Sequence, residues 1–254
     1  MHKAMKDIAL LYMRKMRETR RNPVFIFMGI TVPILYLSLF APLLKNIAAS
    51  RGFPTGNVLN TFVPGMLPII AFSGGIFAGF GIIDELRSGV IERFRVTPAN
   101  RFALLAGPVL RDVTTTLAQV SLFVLIGLPF GFRTNIAGLA LLLVLICLLV
   151  ATTSSFGNAM GLVTKSEDKF APIVHSINLP VLLLSGVLLP MALAPTWLQI
   201  IAHLNPVYYV VEAARHLAAG DLEASTIAHA FLIMVPLTFI TMRWATQVFA
   251  KAVM

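Results

Sequence analysis

Six long apolar runs separated by short polar stretches organise the chain: Val24–Leu44, Phe62–Ile83, Val113–Phe132, Ala137–Val163, Phe170–Leu189 and Ser225–Arg243. A helix crosses the roughly 30 Å hydrocarbon core with about 20 apolar residues, at about 1.5 Å per residue. The pattern therefore predicts an all-α membrane protein with six transmembrane helices. Pro64, Pro68, Gly74, Gly75, Gly79 and Gly81 interrupt the second run. Such residues need neighbouring helices to satisfy freed backbone groups and let backbones approach closely, so this span is expected inside the bundle. The stretch Phe102–Phe132 is too long for one straight crossing and carries Arg111 and Asp112 near its start. A charge at mid-membrane costs about 2.5 to 3.5 kcal/mol on insertion scales. That pair is therefore placed at the cytoplasmic boundary, with the third span beginning at Val113.

Three segments have a different pattern. Residues 1–22 carry Ala4, Ile8, Leu11, Tyr12 and Met16 along one stripe, with Lys3, Lys6, Arg14, Arg17 and Arg21 largely off it. They read as an interfacial helix. Residues 84–101 hold seven charges between two uncharged runs, so they must lie outside the lipid. Within them Leu86, Val90 and Phe94 recur every fourth residue, predicting a short amphipathic helix at a membrane face that stops at Pro98. In residues 190–222, Asn205 supplies an N-cap, Pro206 a first-turn proline and Gly220 a stop. The helix Pro206–Ala219 is about 21 Å long, too short to cross. It carries Glu212, Arg215 and His216, and with Thr196–Leu204 it is expected to form a pair of re-entrant or surface helices.

Composition agrees with membrane embedding: 57% of the 254 residues are hydrophobic, 12% are charged, and the mean hydropathy is +0.85. The net charge of +9 does not point to nucleic acid, because the basic residues flank apolar runs; lipid headgroups are the expected partner. With both termini inside, sixteen Lys and Arg residues fall on the inner side and four on the outer. This asymmetry puts residues 84–101 and Lys165–Lys169 in the cytoplasm. No cleavable signal peptide is expected, since the first apolar run lacks a small-residue cleavage pattern. The single cysteine, Cys147, excludes an intrachain disulfide and a cysteine metal cluster.

Catalytic chemistry has no carrier in this pattern. Gly161–Ser166 ends in Lys-Ser but lacks the glycine spacing of a phosphate-binding loop. The five histidines have no metal-ligand spacing, and Glu212 with His216 reads as a local ion-pair cluster beside Arg215. Polar residues within the spans are mostly uncharged: Thr114–Thr116 and Gln119, Thr152–Ser155, Asn178 and Ser185. They fit either interhelical hydrogen bonding or a transport path. Without an acidic residue deep in a span, a proton- or sodium-coupled carrier is disfavoured, and the energy for transport should come from another chain.

The segment Leu184-Ser185-Gly186-Val187-Leu188-Leu189-Pro190, then Pro195 and Trp197, then Leu204-Asn205-Pro206-Val207-Tyr208-Tyr209 with Glu212 and Arg215, resembles the C-terminal signature of ABC type 2 exporter permeases. Glu92-Arg93 with Thr97-Pro98 and Gly107 resembles the first cytoplasmic loop of drug-resistance permeases of the daunorubicin-exporter sort. The resemblance runs from about residue 20 to the end. It implies one transmembrane permease domain over residues 1–254, working as a dimer in a bacterial cell membrane, without catalytic residues or cofactors of its own. A separate ATP-binding subunit would carry ATP and Mg. It further implies that Leu86, Val90, Glu92, Arg93, Phe94, Arg95, Thr97 and Pro98 form a coupling helix docked on that ATPase. Phe72, Phe77, Phe80, Asn178, Leu182 and Ser185 would line the substrate path, and Glu212 and Arg215 would form an external cluster. A path this apolar suits a hydrophobic drug-like or lipid-like substrate. A permease for sodium, glycolipid or polysaccharide, or a secondary transporter or membrane scaffold without an ATPase, remain the competing readings.

Overall fold

The computed structural model describes residues 2–22, 58–95, 100–130, 135–187, 194–221 and 224–253, with isolated positions at 27, 29–31, 33–35, 38–39, 132 and 191. The predicted first span, Val24–Leu44, lies largely outside them. The described helices are α1 (His2–Arg21), α2 (Val58–Ile76), α3 (Ala78–Arg87), α4 (Val90–Arg95), α5 (Arg101–Gly127), α6 (Ile136–Thr164), α7 (Glu167–Leu184), α8 (Thr196–Ala202), α9 (Pro206–Ala219) and α10 (Ala224–Val253). Four stretches are long and apolar enough to cross a membrane: Phe62–Arg87, which joins α2 to α3, then α5, α6 and Ser225–Ala252 of α10.

Helix α6 lies at the centre and touches α2, α3, α5, α9 and α10. Its face toward α2 and α3 is built from glycines. A Cβ on Gly157 would run into the carbonyl of Ile76, and one on Gly79 into the Phe170 ring and the Gly157 carbonyl. Backbones this close supply the dispersion contacts that hold helices together in lipid, where apolar burial gives little drive. Phe62–Arg87 is accordingly the most enclosed span, with 67% of its most apolar stretch buried against 17% for α10. Its predicted position inside the bundle agrees with this.

The polar residues of the third and fourth spans join helices or bond within them. Thr152 and Thr238 hydroxyls meet at 2.7 Å between α6 and α10. Ser154 Oγ donates to Asp112 Oδ2 at 2.5 Å between α6 and α5, and Asn158 donates to the Ser154 carbonyl. Thr114 and Thr115 bond to carbonyls of their own helix. Asp112 is only 3% exposed. Arg111 and Ser154 bond its carboxylate within the protein.

Three expectations change. The amphipathic helix expected from Leu86 to Pro98 is two pieces, because Ser88-Gly89 interrupts it and Gly89 takes φ 71°, a left-handed conformation that favours glycine. Leu86 lies in the last turn of the long rod and Val90 starts a new helix, so the expected stripe is split. The fifth span, expected to reach Leu189, ends at Leu184, where Ser185 and Gly186 (φ 76°) turn the chain. Helix α1 does not spend its stripe on lipid alone. It packs along α5, with Leu11 against Gly107 and Tyr12 Oη bonded to Thr114 Oγ1 at 3.3 Å.

Candidate functional site

Two regions concentrate the polar chemistry, one at each end of the bundle. The first is a second apolar core, separate from the main one, made by Ile82, Ile91, Leu104, Leu105, Leu162 and Phe249, with Leu86 and Phe94 packed on it. It gathers the ends of α3, α6 and α10, the start of α5 and α4. Ile91, 2% exposed, anchors α4 in place of the expected Val90, which is half-buried. Glu92 and Arg93 are exposed. The Arg95 side chain, Thr97 and Pro98 lie outside the described residues.

Against this core sits an ion cluster that includes Glu85, Arg14, Lys15 and Glu18. Glu85 is 5% exposed, and its Oε1 accepts from Arg14 Nη2 at 2.6 Å and Lys15 Nζ at 2.8 Å. Glu18 lies 3.1 Å from Lys15 and 3.3 Å from Arg14. The Arg14 guanidinium stands 5.5 Å from the centre of the Phe94 ring, within cation–π reach. Helix α1 is thus fastened to the end of the α2–α3 rod and to α4 through two adjacent basic residues. Sequence reasoning missed Glu85, Arg14 and Lys15 as site residues. The available signal was Lys15, which continues the spacing of Ala4, Ile8 and Leu11 and so lies on the face that packs.

At the other end, α9 carries the signature residues. Asn205 caps it, with Oδ1 accepting from Val207 N at 3.0 Å, and the same side chain donates through Nδ2 to the Val181 carbonyl of α7 at 3.0 Å. Arg215 Nη1 bonds Glu212 Oε1 at 2.9 Å, confirming the expected pair. Its Nη2 donates to the carbonyls of Gly186 and Val187, which precede Pro190 where partners were expected after it. Burial pulls the guanidinium pKa down from its ordinary value, opposed by the charge and hydrogen bond of Glu212. His216 pairs with Asp221 at 3.2 Å, at the helix end.

The proposed path residues divide. Phe77 and Phe80 are neighbours, 6.1 Å between ring centres, and Phe80 meets Phe170 edge-on at 4.8 Å. Phe77 is exposed while Phe72 is buried. On α7, Asn178 and Leu182 are half-buried, whereas Ser185 is buried and bonded to the Leu182 carbonyl. Phe77 and the C-terminal part of α7 thus lie at the surface of the single chain, and the described residues enclose no path between them within one copy.

Residues 6–218 match the model of the family described as ABC-2 type transporter. The chain belongs to the ABC-2 type transporter family. Among relatives, the protein named "Putative transport permease ycf38" of Cyanophora paradoxa is 28% identical over 84% of this chain and 74% of its own length. The "Daunorubicin resistance ABC transporter permease protein DrrB1" of Streptomyces coeruleorubidus is 25% identical over 82% and 73%. The "Probable multidrug ABC transporter permease YbhR" of Escherichia coli K12 is 21% identical over 76% of this chain and 52% of its own. This ABC-2 chain is therefore a membrane-embedded transport permease, the resemblance read from its loop and C-terminal motifs is correct, and both polar regions fall within or beside the matched residues.

Proposed function

We propose that this permease is the membrane half of an ATP-driven exporter for a hydrophobic, drug-like or lipid-like substrate. A separate subunit supplies ATP binding and hydrolysis with Mg, and two permease copies, most simply identical, meet to form the path. Each copy is one domain of six spans with both termini, residues 84–101 and Lys165–Lys169 in the cytoplasm of the cell membrane. The external helices α8 and α9 cap the exit. The observation that carries this reading is the placement of α4: Ile91 is sunk into the cytoplasmic core while Glu92 and Arg93 face out. A docked subunit that moves α4 pushes on the ends of α3, α5 and α10 together, because they share that core. Phe72, Phe77 and Phe80 with Asn178, Leu182 and Ser185 line the path between copies, where an apolar, aromatic surface suits an apolar substrate.

Exchanging charges with Glu92→Lys and Arg93→Glu keeps the loop's net charge, and hence its topological signal, while reversing the docking face. At normal membrane levels the double variant should lose copurification of the ATP-binding subunit and most substrate-stimulated hydrolysis. Unchanged copurification and hydrolysis would rule out a coupling role for α4.

A further inference from the structure

We propose that Asn205 and Arg215 are positioning residues that latch the outer end of α7 onto α9. The proposal deepens the reading of α7 as a path helix and rests on it for its role in transport.

Apolar packing holds α7 mainly at its cytoplasmic half. Its buried residues are Phe170 and Val174, while farther out Leu179 and Leu183 are 60% and 54% exposed, and Ile177 and Val181 are only partly buried against the main core. Just past its end Val187 is buried in the main core, and polar bonds from another helix tie this stretch down as well: Asn205 to the Val181 carbonyl, and Arg215 to the carbonyls of Gly186 and Val187. Pro180 sits one residue before the first of these, and Pro172 lies a little over two turns earlier. Each proline removes one hydrogen bond to the residue four back, which makes its position a place where the helix bends. The turn beyond Pro180 can therefore swing if its outer bonds are released.

Asn205 makes this a fastening between helices. The Val181 carbonyl already accepts from Ser185 N at 3.0 Å, so the end of α7 does not need Asn205 as a cap. What the asparagine adds is a tie from α7 to the first turn of α9, made by the two ends of one buried amide. Arg215 extends the tie. It also faces Gly65 on α2, where an added Cβ would stand 3.6 Å from its Nη2, and its position near the end of α7 is favourable for a cation. Elements on both sides of the proposed path thus meet at one guanidinium.

The test separates a tie from a simple cap. In Asn205→Ser the hydroxyl still caps α9, but it is too short to reach Val181. Arg215→Lys keeps the charge and loses the paired N–H fork. With the full-length permease and its ATP-binding subunit in lipid nanodiscs, amide exchange over residues 181–187 should accelerate about fivefold to tenfold in either variant, as the loss of one net hydrogen bond implies. Exchange over 207–211 in Asn205→Ser should stay at the parental rate. Unchanged exchange over 181–187 in both variants, or an equal acceleration in 207–211, overturns the latch. The path reading is tested apart from it, with Leu182→Cys in a Cys147→Ala background. An impermeant thiol reagent added outside should react during ATP turnover in the parent, and without ATP once Asn205→Ser is added. No reaction in either chain overturns α7 as a path helix, while the exchange data still decide the latch.

Discussion

Glu85 shows how much one buried carboxylate controls at the end of the bundle that holds α4. It is enclosed and shared by Arg14 and Lys15, so removing it leaves two cations beside an apolar core without their main partner. Breaking such a pair typically costs about 3 to 5 kcal/mol. Glu85→Ala should therefore loosen α1, and trypsin should cut after Arg17, Arg20 and Arg21 faster than in the parent, as read by the N-terminal fragments. The pair Arg87–Glu167 joins the end of α3 to the start of α7, but its side chains are 54% and 45% exposed. An exposed pair is worth up to about 1 kcal/mol, so Arg87→Ala should leave that cleavage unchanged. Equal sensitivity in the two variants would contradict the burial argument.

Between elements, the contact of α6 with α2 and α3 depends on missing side chains. At Gly157 an added Cβ meets the Ile76 carbonyl, which has no flexible end to move aside. Gly157→Ala should cost about 1 to 3 kcal/mol, as overpacking generally does, and lower the thermal midpoint of the purified permease. Gly81 is the control. Nothing lies within 4 Å of a Cβ built there, so Gly81→Ala should raise helix stability by about 0.5 to 1 kcal/mol. A lower midpoint for Gly81→Ala would place a second copy of the chain against that face.

For the whole molecule, the proposed six-span arrangement puts the core around α4 and the helices α8 and α9 on opposite sides of the membrane, as the distribution of basic residues predicts. Arg93 on α4 and Thr196 at the start of α8 are both exposed and report on the two faces. Single cysteines at these positions in a Cys147→Ala background should react with an impermeant reagent from opposite sides of sealed vesicles. Reaction from the same side would remove the six-span arrangement, and with it the assignment of α4 to an ATPase and of α9 to the exit.

Local pattern was enough to determine four long apolar helices, the break at Asn205-Pro206 and the stop at Gly220, because apolar run length, capping side chains and backbone restrictions act within a few residues. The family was legible for the same reason: its signature is a run of short motifs. Tertiary structure decided the partners. Lys15 and Glu85 are far apart in sequence and look like ordinary interfacial charges until α1 lies along α5 and the end of α3 comes to it. The Leu86–Phe94 stripe was legible as amphipathic, yet Gly89 split it, and Ile91 became the anchor because α4 meets a core assembled from four other elements. Asn205 was legible as a cap from its neighbours. Its second bond, to Val181, exists only because α7 ends beside α9, a proximity set by packing around α6 that no local spacing encodes.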